Sequence, residues 1–495
     1  MARSRLIDKI HAPHWVVLVL ATIFILRIPG FFEPYHYGDE MIYLNLGEAM
    51  KRGMVLYRDI HDNKPPLLYL VAAVAGNVFW FRAILAGWMM LTTILFWRLS
   101  EALFTKNGLM IKVSTIFFAI LTTLPLLEGR IPNAELFMLA PTIGAFLILL
   151  TQTLNTKNLL FAGVLFSVST LFKVPGVFDI GTIIFLWLVT IGYKKKDIIS
   201  ITRQTVTLLL GFLAPIAFTL IWYYLQGAFQ EYLAAAFLQN IGYLSSWRPG
   251  DIEESFLARN GPLLVRGGVL MSGLLALYIF RKKLSKKFIF VTAWLLFSLF
   301  AALLSERPYP HYLIQIVPAV SLLIGFLVAS KSIEQSLSII PIFLVLLGVV
   351  RFQFWYYPSI PYYQRFIAFM TGQITREEYF IGFDANSSRN YKIAEFLANS
   401  SAKDDKVFVW GDTSTIYALS KRLPPIKYIA DYHIVDFSSQ EDVLISLNAQ
   451  RPKFVVVLPN SLAFPQLDSF LRDGYLLIER IDGSAIWKKT NFSAN

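Results

Sequence analysis

Apolar stretches long enough to cross a bilayer recur through the first 355 residues of this 495-residue chain. The hydrocarbon core of a bilayer is about 30 Å thick and offers backbone groups no water. A spanning helix therefore needs about 20 mostly apolar residues. Candidate stretches run over 14–30, 66–81, 83–104, 109–127, 134–153, 158–173, 175–192, 204–225, 263–280, 287–304, 311–330 and 336–354. Charged residues make up only 16% of the chain, against about 25% in soluble proteins. The sequence predicts a polytopic α-helical membrane protein.

The net charge is +12, but the basic residues sit in short clusters between apolar runs. That pattern sets topology, because short Lys/Arg-rich loops stay in the cytoplasm; nothing in it resembles a nucleic-acid-binding motif. The absence of cysteine excludes disulfides, thiolate catalysis and Cys-ligated metals. The N-terminus, "MARSRLIDKIHAPHW", has no small-residue cleavage signature and reads as the lead-in to a retained first span. With that end and the loops "YKKKD" (193–197) and "RKKLSKK" (281–287) inside, one candidate stretch must not cross. The weakest is 66–81, which opens on Pro65-Pro66, contains Gly76-Asn77 and ends at Arg82. It reads as a juxtamembrane helix at the outer interface, since proline is tolerated in a first helical turn. About eleven transmembrane helices remain. A re-entrant pair over 158–192, broken at "KVPG", would also change the parity.

This topology expects a membrane domain over 1–355, with a first outer loop at 31–82, and a soluble extracytoplasmic α/β domain over 356–495. It also expects Asp39, Glu40, Lys64, Arg130, Glu135, Lys173, Arg307 and His311 to share one outer surface. Ionisable residues near membrane depth are functional candidates. Asp39 and Glu40 open a helical stretch and point about 100° apart, so only one can aim at a given substrate atom and the other faces a neighbour. Lys64, Arg130, Lys173 and Arg307 suit a phosphate, lysine as a point charge and arginine as a planar fork. A carboxylate base beside such cations fits group transfer from a lipid phosphate. Each residue also has a plainer reading: solvation of a loop for the acids, an interfacial side chain for Lys64 and His311, a helix end for Lys173, and pairing with Glu135 for Arg130 or Glu306 for Arg307. No Walker, G-x-S-x-G or H-E-x-x-H motif is present.

"YGDEMIYLNLGEAM" followed by "HDNKPPLLYL", with "IPNAE" and "RPYPHYLIQIVPA" in that order, resembles the membrane glycosyltransferases of the C superfamily. The nearest resemblance is to glycosyltransferase family 39 and its relatives, the protein O-mannosyltransferases and the aminoarabinose transferases that modify lipid A. It covers roughly residues 14–330. The resemblance implies a polyprenyl-phosphate sugar donor, membrane lipid as a partner, outward-facing chemistry and inversion at the anomeric carbon. By matching motifs it makes Asp39 the general base with Glu40 beside it, puts Lys64 on the donor phosphate, and places Arg307 and His311 in a donor-proximal loop. The second outer loop often carries an aspartate in this family, whereas here it reads "GRIPNAELF". With cations already around the leaving phosphate, no obligatory metal is expected, although relatives in the superfamily use one.

Beyond residue 356, "KVFVWGD" and "KFVVVLPN" read as strands, "TSTIYALSKR" and "FPQLDSFLRD" as helices, and "IDGS" as a hairpin turn. This domain reads as a lid or scaffold, with acceptor recognition through Trp410, Tyr417 or Tyr428 as the alternative. A transporter or flippase of lipid-linked sugars is the competing function; it expects repeated halves and midplane charges. The sequence leaves the sugar and the acceptor open.

Overall fold

The computed structural model describes residues 12–192, 194–239, 256–305 and 307–490. Arg3, Arg5 and Lys9 of the basic N-terminus, Tyr193, positions 240–255 of the long loop and Glu306 lie outside the described residues.

The chain is a polytopic bundle of apolar helices followed by a sheet-containing domain. Helix α1 (His14–Arg27) continues through a 3₁₀ turn to Phe32. Helix α2 (Gly38–Lys51) and the short α3 (Leu67–Ala75) precede the long α4 (Val78–Leu103). Then come α5 (Gly108–Leu121), α6 (Ala134–Thr151), α7 (Thr156–Phe172), α8 (Asp179–Thr190) and α9 (Lys195–Leu225). Four more follow at Phe256–Ile279, Lys286–Ala302, Val317–Ala329 and Ile339–Arg351.

Among the described residues, seven helices are long and apolar enough to cross a membrane, where the sequence suggested about eleven. The expected spans 109–127, 158–173, 175–192 and 287–304 form shorter helices. Three end for a visible reason. Pro125 opens a separate 3₁₀ turn after Leu121, and Pro175 breaks the chain between Phe172 and Asp179. The 66–81 stretch is broken by Gly76, whose φ of 70° ends α3, and by Asn77, whose side chain caps α4 by accepting from the Trp80 N–H. At about 1.5 Å per residue, the nine residues of α3 are too short to cross.

Two close approaches fix the bundle. A Cβ on Gly163 of α7 would lie 2.1 Å from the Leu208 carbonyl oxygen of α9, and one on Gly211 of α9 would lie 2.2 Å from the Leu160 oxygen. Only hydrogen at both positions lets these backbones meet, the usual economy of helix packing in lipid. A Cβ on Gly47 would reach the Ala73 amide of α3 at 2.5 Å, so α2 and α3 are also pressed together. The other face of α9 exposes Leu210, Leu213, Phe218 and Ile221, a surface suited to lipid.

The C-terminal region begins with helices Ser359–Met370, Arg376–Ile381 and Ser387–Ser400. Its sheet has strands β1 (Val407–Trp410), β2 (Phe454–Val457), β3 (Tyr475–Ile481) and β4 (Ser484–Lys489) in the order β1-β2-β4-β3. Strands β1 and β2 are parallel, joined through helices that include Asp431–Phe437; β4 pairs antiparallel with both β2 and β3. The β3–β4 hairpin turns at Asp482 and Gly483, both at positive φ.

This region docks on α2 and the loop after it. Asn45 Nδ2 donates to the Ser414 carbonyl at 2.9 Å, and Ser414 Oγ donates to the Gly38 carbonyl at 3.1 Å. Arg52 donates to the Lys403 and Lys421 carbonyls at 2.7 Å each. The His61 N–H donates to the Lys427 carbonyl at 2.9 Å, and its ring packs between Tyr428 and Phe437.

Candidate active site

Helix α2 starts at Gly38, so Asp39 and Glu40 fall in its first turn and diverge. Asp39 Oδ2 accepts from the Tyr43 hydroxyl one turn on, at 2.8 Å, and lies 3.5 Å from Lys64 Nζ. The Asp39 and Lys64 side chains are 33% and 24% exposed, open enough to meet a ligand. Lys64 is held from several sides. Its N–H donates to Tyr69 Oη at 3.1 Å, its carbonyl accepts from Tyr57 at 2.8 Å, and its ammonium sits 5.0 Å from the Tyr43 ring centre. Pro65 and Pro66 follow directly and lead into α3. Burial pushes the Asp39 carboxyl up, but the charge on Lys64, then that on His311, and the Tyr43 hydrogen bond outweigh it and bring it down to about 2.

Glu40 faces the other way and is fully buried. Arg82 of α4 holds it in a two-pronged ion pair and also reaches Glu33, with Nη1 to Oε2 at 2.9 Å. Glu33 is the hub of this layer. It lies 3.2 Å from Arg130 Nε and 3.0 Å from His36 Nε2, and it accepts from the Tyr362 hydroxyl at 2.6 Å. Burial disfavours the Glu33 charge, yet Arg130 and Arg82 together hold its carboxyl well below the usual range.

A second layer centres on His311. Its Nδ1 is 2.6 Å from Glu128 Oε2, and its Nε2 is 3.7 Å from Glu135. Glu128, at a left-handed φ of 59°, also accepts from Tyr37 at 2.7 Å and Asn133 at 3.1 Å. Lys173 pairs closely with Glu135 and lies 3.8 Å from the Tyr312 ring centre. Burial lowers the Lys173 ammonium, opposed by Glu135.

The structure thus gathers Asp39, Lys64, Lys173, Glu135 and His311 within electrostatic reach of one another. Glu40 and Arg130 turn instead into the Arg82–Glu33 layer. Arg130 does not pair with Glu135, the partner the sequence offered; its carboxylate is Glu33. Arg307 is exposed at the start of the segment leading to His311, and its backbone N–H donates to Ser305 Oγ at 3.2 Å. Sequence reasoning passed over Glu33, Glu128 and Arg82. Their signal is a charge at the rim of an apolar run, which must find a partner when buried. Among the described residues, no group of three or more His, Asp and Glu side chains is disposed to hold a metal ion.

Residues 387–485 match the family model named for the C-terminal domain of the competence-induced protein Ccs4. No curated protein matches the chain. Among solved structures, ArnT from Cupriavidus metallidurans bound to undecaprenyl phosphate superposes with a TM-score of 0.56 at 12% identity, covering 97% of this chain and 99% of that one. The apo state of the same protein gives 0.55 at 13% identity, covering 96% and 97%. The protein therefore shares its fold, over nearly its whole length, with that of ArnT.

Proposed function

We propose that the protein transfers a sugar from a polyprenyl-phosphate donor to an acceptor, with inversion, on the extracytoplasmic face of the membrane. The reading rests on one observation: a carboxylate and an ammonium, Asp39 and Lys64, stand 3.5 Å apart and partly open, in a fold shared with a structure that holds undecaprenyl phosphate. The basic stretches Lys194–Lys196 and Arg281–Lys287, at the ends of helices, favour the cytoplasmic side and support an outward-facing site. A transporter of lipid-linked sugars would place its charges at the midplane between repeated halves; here they lie beside the C-terminal domain.

In this reading an acceptor hydroxyl or amine attacks the anomeric carbon as the bond from that carbon to the phosphate oxygen breaks. Polyprenyl phosphate leaves with the electron pair, and the acceptor proton passes to Asp39. Lys64 carries the phosphate charge, with Lys173 and Arg307 as further cations and His311 placed between Glu128 and Glu135. A carboxylate near 2 is a weak base at neutral pH. Once a phosphate engages Lys64, the carboxylate loses much of the charge that depresses it and becomes the stronger base the step needs. Glu40, fixed by Arg82, orients the first turn of α2.

Asp39→Asn should lower transfer from a radiolabelled polyprenyl-phosphate sugar by about 10²–10⁴ while undecaprenyl phosphate still binds. Transfer by Asp39→Asn at the wild-type rate would overturn the assignment.

A further inference from the structure

We propose that the C-terminal region carries a ligand site of its own, a cavity of about 600 Å³ at the carboxyl ends of β1 and β2, and that this site binds the protonated amine of a small organic molecule. Its walls include Arg389, Asp412, Asp431, Tyr432, Asp436 and Asn460. The volume falls in the range of roughly 300–1,000 Å³ typical of small-molecule sites. None of Asp39, Lys64, Lys173 and His311 lines it, so it stands apart from the place proposed for sugar transfer.

The topology makes the opening. Strands β1 and β2 run parallel with Trp410 opposite Val457, so they end side by side. The chain leaves β1 through Gly411 and Asp412, and leaves β2 through Leu458, Pro459 and Asn460; residues of both exits wall the cavity. The crevice outside the carboxyl ends of parallel strands is where open α/β sheets take ligands. Gly411, at a φ of 143°, lets the two exits lie close, since a Cβ there would come 2.8 Å from the Leu458 Cβ.

Charge decides the class. Asp431 is only 8% exposed, and its carboxylate meets backbone N–H groups, its own and that of Tyr432. Among the described residues, no side chain pairs with Asp412, Asp431 or Asp436. A buried carboxylate without a counter-charge is costly. Burial pushes the Asp431 carboxyl up, and the charge on Asp412 pushes it further, so the two acids share one space. Arg389 is the one basic side chain among the described lining residues, and two of its nitrogens already donate to Asn390 Oδ1 at 3.3 and 3.2 Å. It offsets one acid of the three, and the cavity keeps an excess negative charge. A bare metal ion fits poorly, because among the described residues no three His, Asp and Glu side chains are disposed to hold one. An amine on a hydrocarbon stem fits: Tyr432, Val435 and Leu462 line the same cavity with exposed apolar surface, and a tyrosine face attracts a cation.

The test uses the full-length protein in an uncharged detergent, with 1,5-diaminopentane, its neutral isostere 1,5-pentanediol and calcium chloride as probes, read by calorimetry and saturation-transfer NMR. The diamine should bind at least about tenfold more tightly than the diol. Asp431→Asn and Asp412→Asn keep the side-chain shape and remove the charge; each should weaken the diamine at least about tenfold. Asp412 is exposed, so its variant keeps the test valid if Asp431→Asn folds poorly. Asp468→Asn, an exposed acid on the helix Pro465–Arg472 and outside the cavity, should bind the diamine as the wild type does. The proposal is overturned if the diamine fails to bind, if the diol binds equally well, or if folded Asp412→Asn and Asp431→Asn both bind the diamine like the wild type. Calcium binding that displaces the diamine and is lost in both variants would make this a metal site and would also overturn it.

Discussion

Arg82 grips Glu40 through two parallel hydrogen bonds, Nε to Oε1 at 2.9 Å and Nη2 to Oε2 at 2.6 Å. Its remaining nitrogen donates to the Gly30 carbonyl at 2.7 Å, so one guanidinium ties α4 to α2 and to the turn after α1. Two adjacent acids thereby take different parts: Glu40 is locked inside, and Asp39 is left where a ligand can reach it.

Glu40→Gln should cost the fold roughly 3 kcal/mol, the usual penalty for breaking a buried ion pair from one side. A thermal melt in detergent should show it as a clear drop in Tm. The fraction that remains folded should still transfer sugar. Complete loss of transfer in fully folded protein would make Glu40 a participant in the chemistry.

Lys64→Gln should raise the Asp39 carboxyl from about 2, because Lys64 is the largest influence holding it down. The acidic limb of kcat/KM, which reports the free enzyme, should move to higher pH. The donor KM should rise at least about tenfold through loss of a charge-assisted contact. A pH–rate profile of the variant measures both shifts.

The proximity of Asp39 and Lys64 in the candidate site was legible because both charges sit in conspicuous places. "GDE" opens a helix and "KPP" opens another, and each pattern marks a helix start whatever the partner. Partners were harder to see. Glu33 meets Arg130, and Glu128 meets His311 183 positions away, through the three-dimensional bundle alone. The membrane class was legible from apolar run length, but the number of full-length spans was not. Pro125, Pro175 and Gly76 divide runs whose composition alone looks continuous. The docking of the C-terminal region on α2 was also invisible, since it uses backbone carbonyls such as those of Ser414 and Lys427, which any residue can offer.

Acid should loosen that docking. His61 is brought down to about 4, chiefly by burial, with Asp62 opposing and Lys427 and His433 assisting; His433 is lowered too. A histidine depressed below its free value of 6.5 stabilises the fold above that pH, and the benefit drains away as pH falls through about 4. The shift corresponds to roughly 3 kcal/mol. The protection of amides in the Lys427–Phe437 segment against hydrogen exchange, taken relative to their intrinsic rates at each pH, should fall between pH 7 and 4. His61→Phe should flatten the response.

Gly163→Ala should damage the bundle although it adds a single carbon. The new Cβ would meet the Leu208 carbonyl oxygen, a backbone atom with no rotamer to move. A cost toward the upper end of the roughly 1–3 kcal/mol range for overpacking is expected. Gly87→Ala, which meets nothing within 4 Å, should be harmless by comparison. Size-exclusion profiles and melts of the two variants side by side make the measurement.

The bond from Asn45 to Ser414 joins residues 369 positions apart. During synthesis, the helix that bears Asp39 emerges long before the segment that clasps it exists. A nascent chain halted before residue 414 would hold Asp39 and Lys64 without the clamp on their helix. Until that segment has been made and has docked, the first turn of this helix lacks the tether that Ser414 gives it.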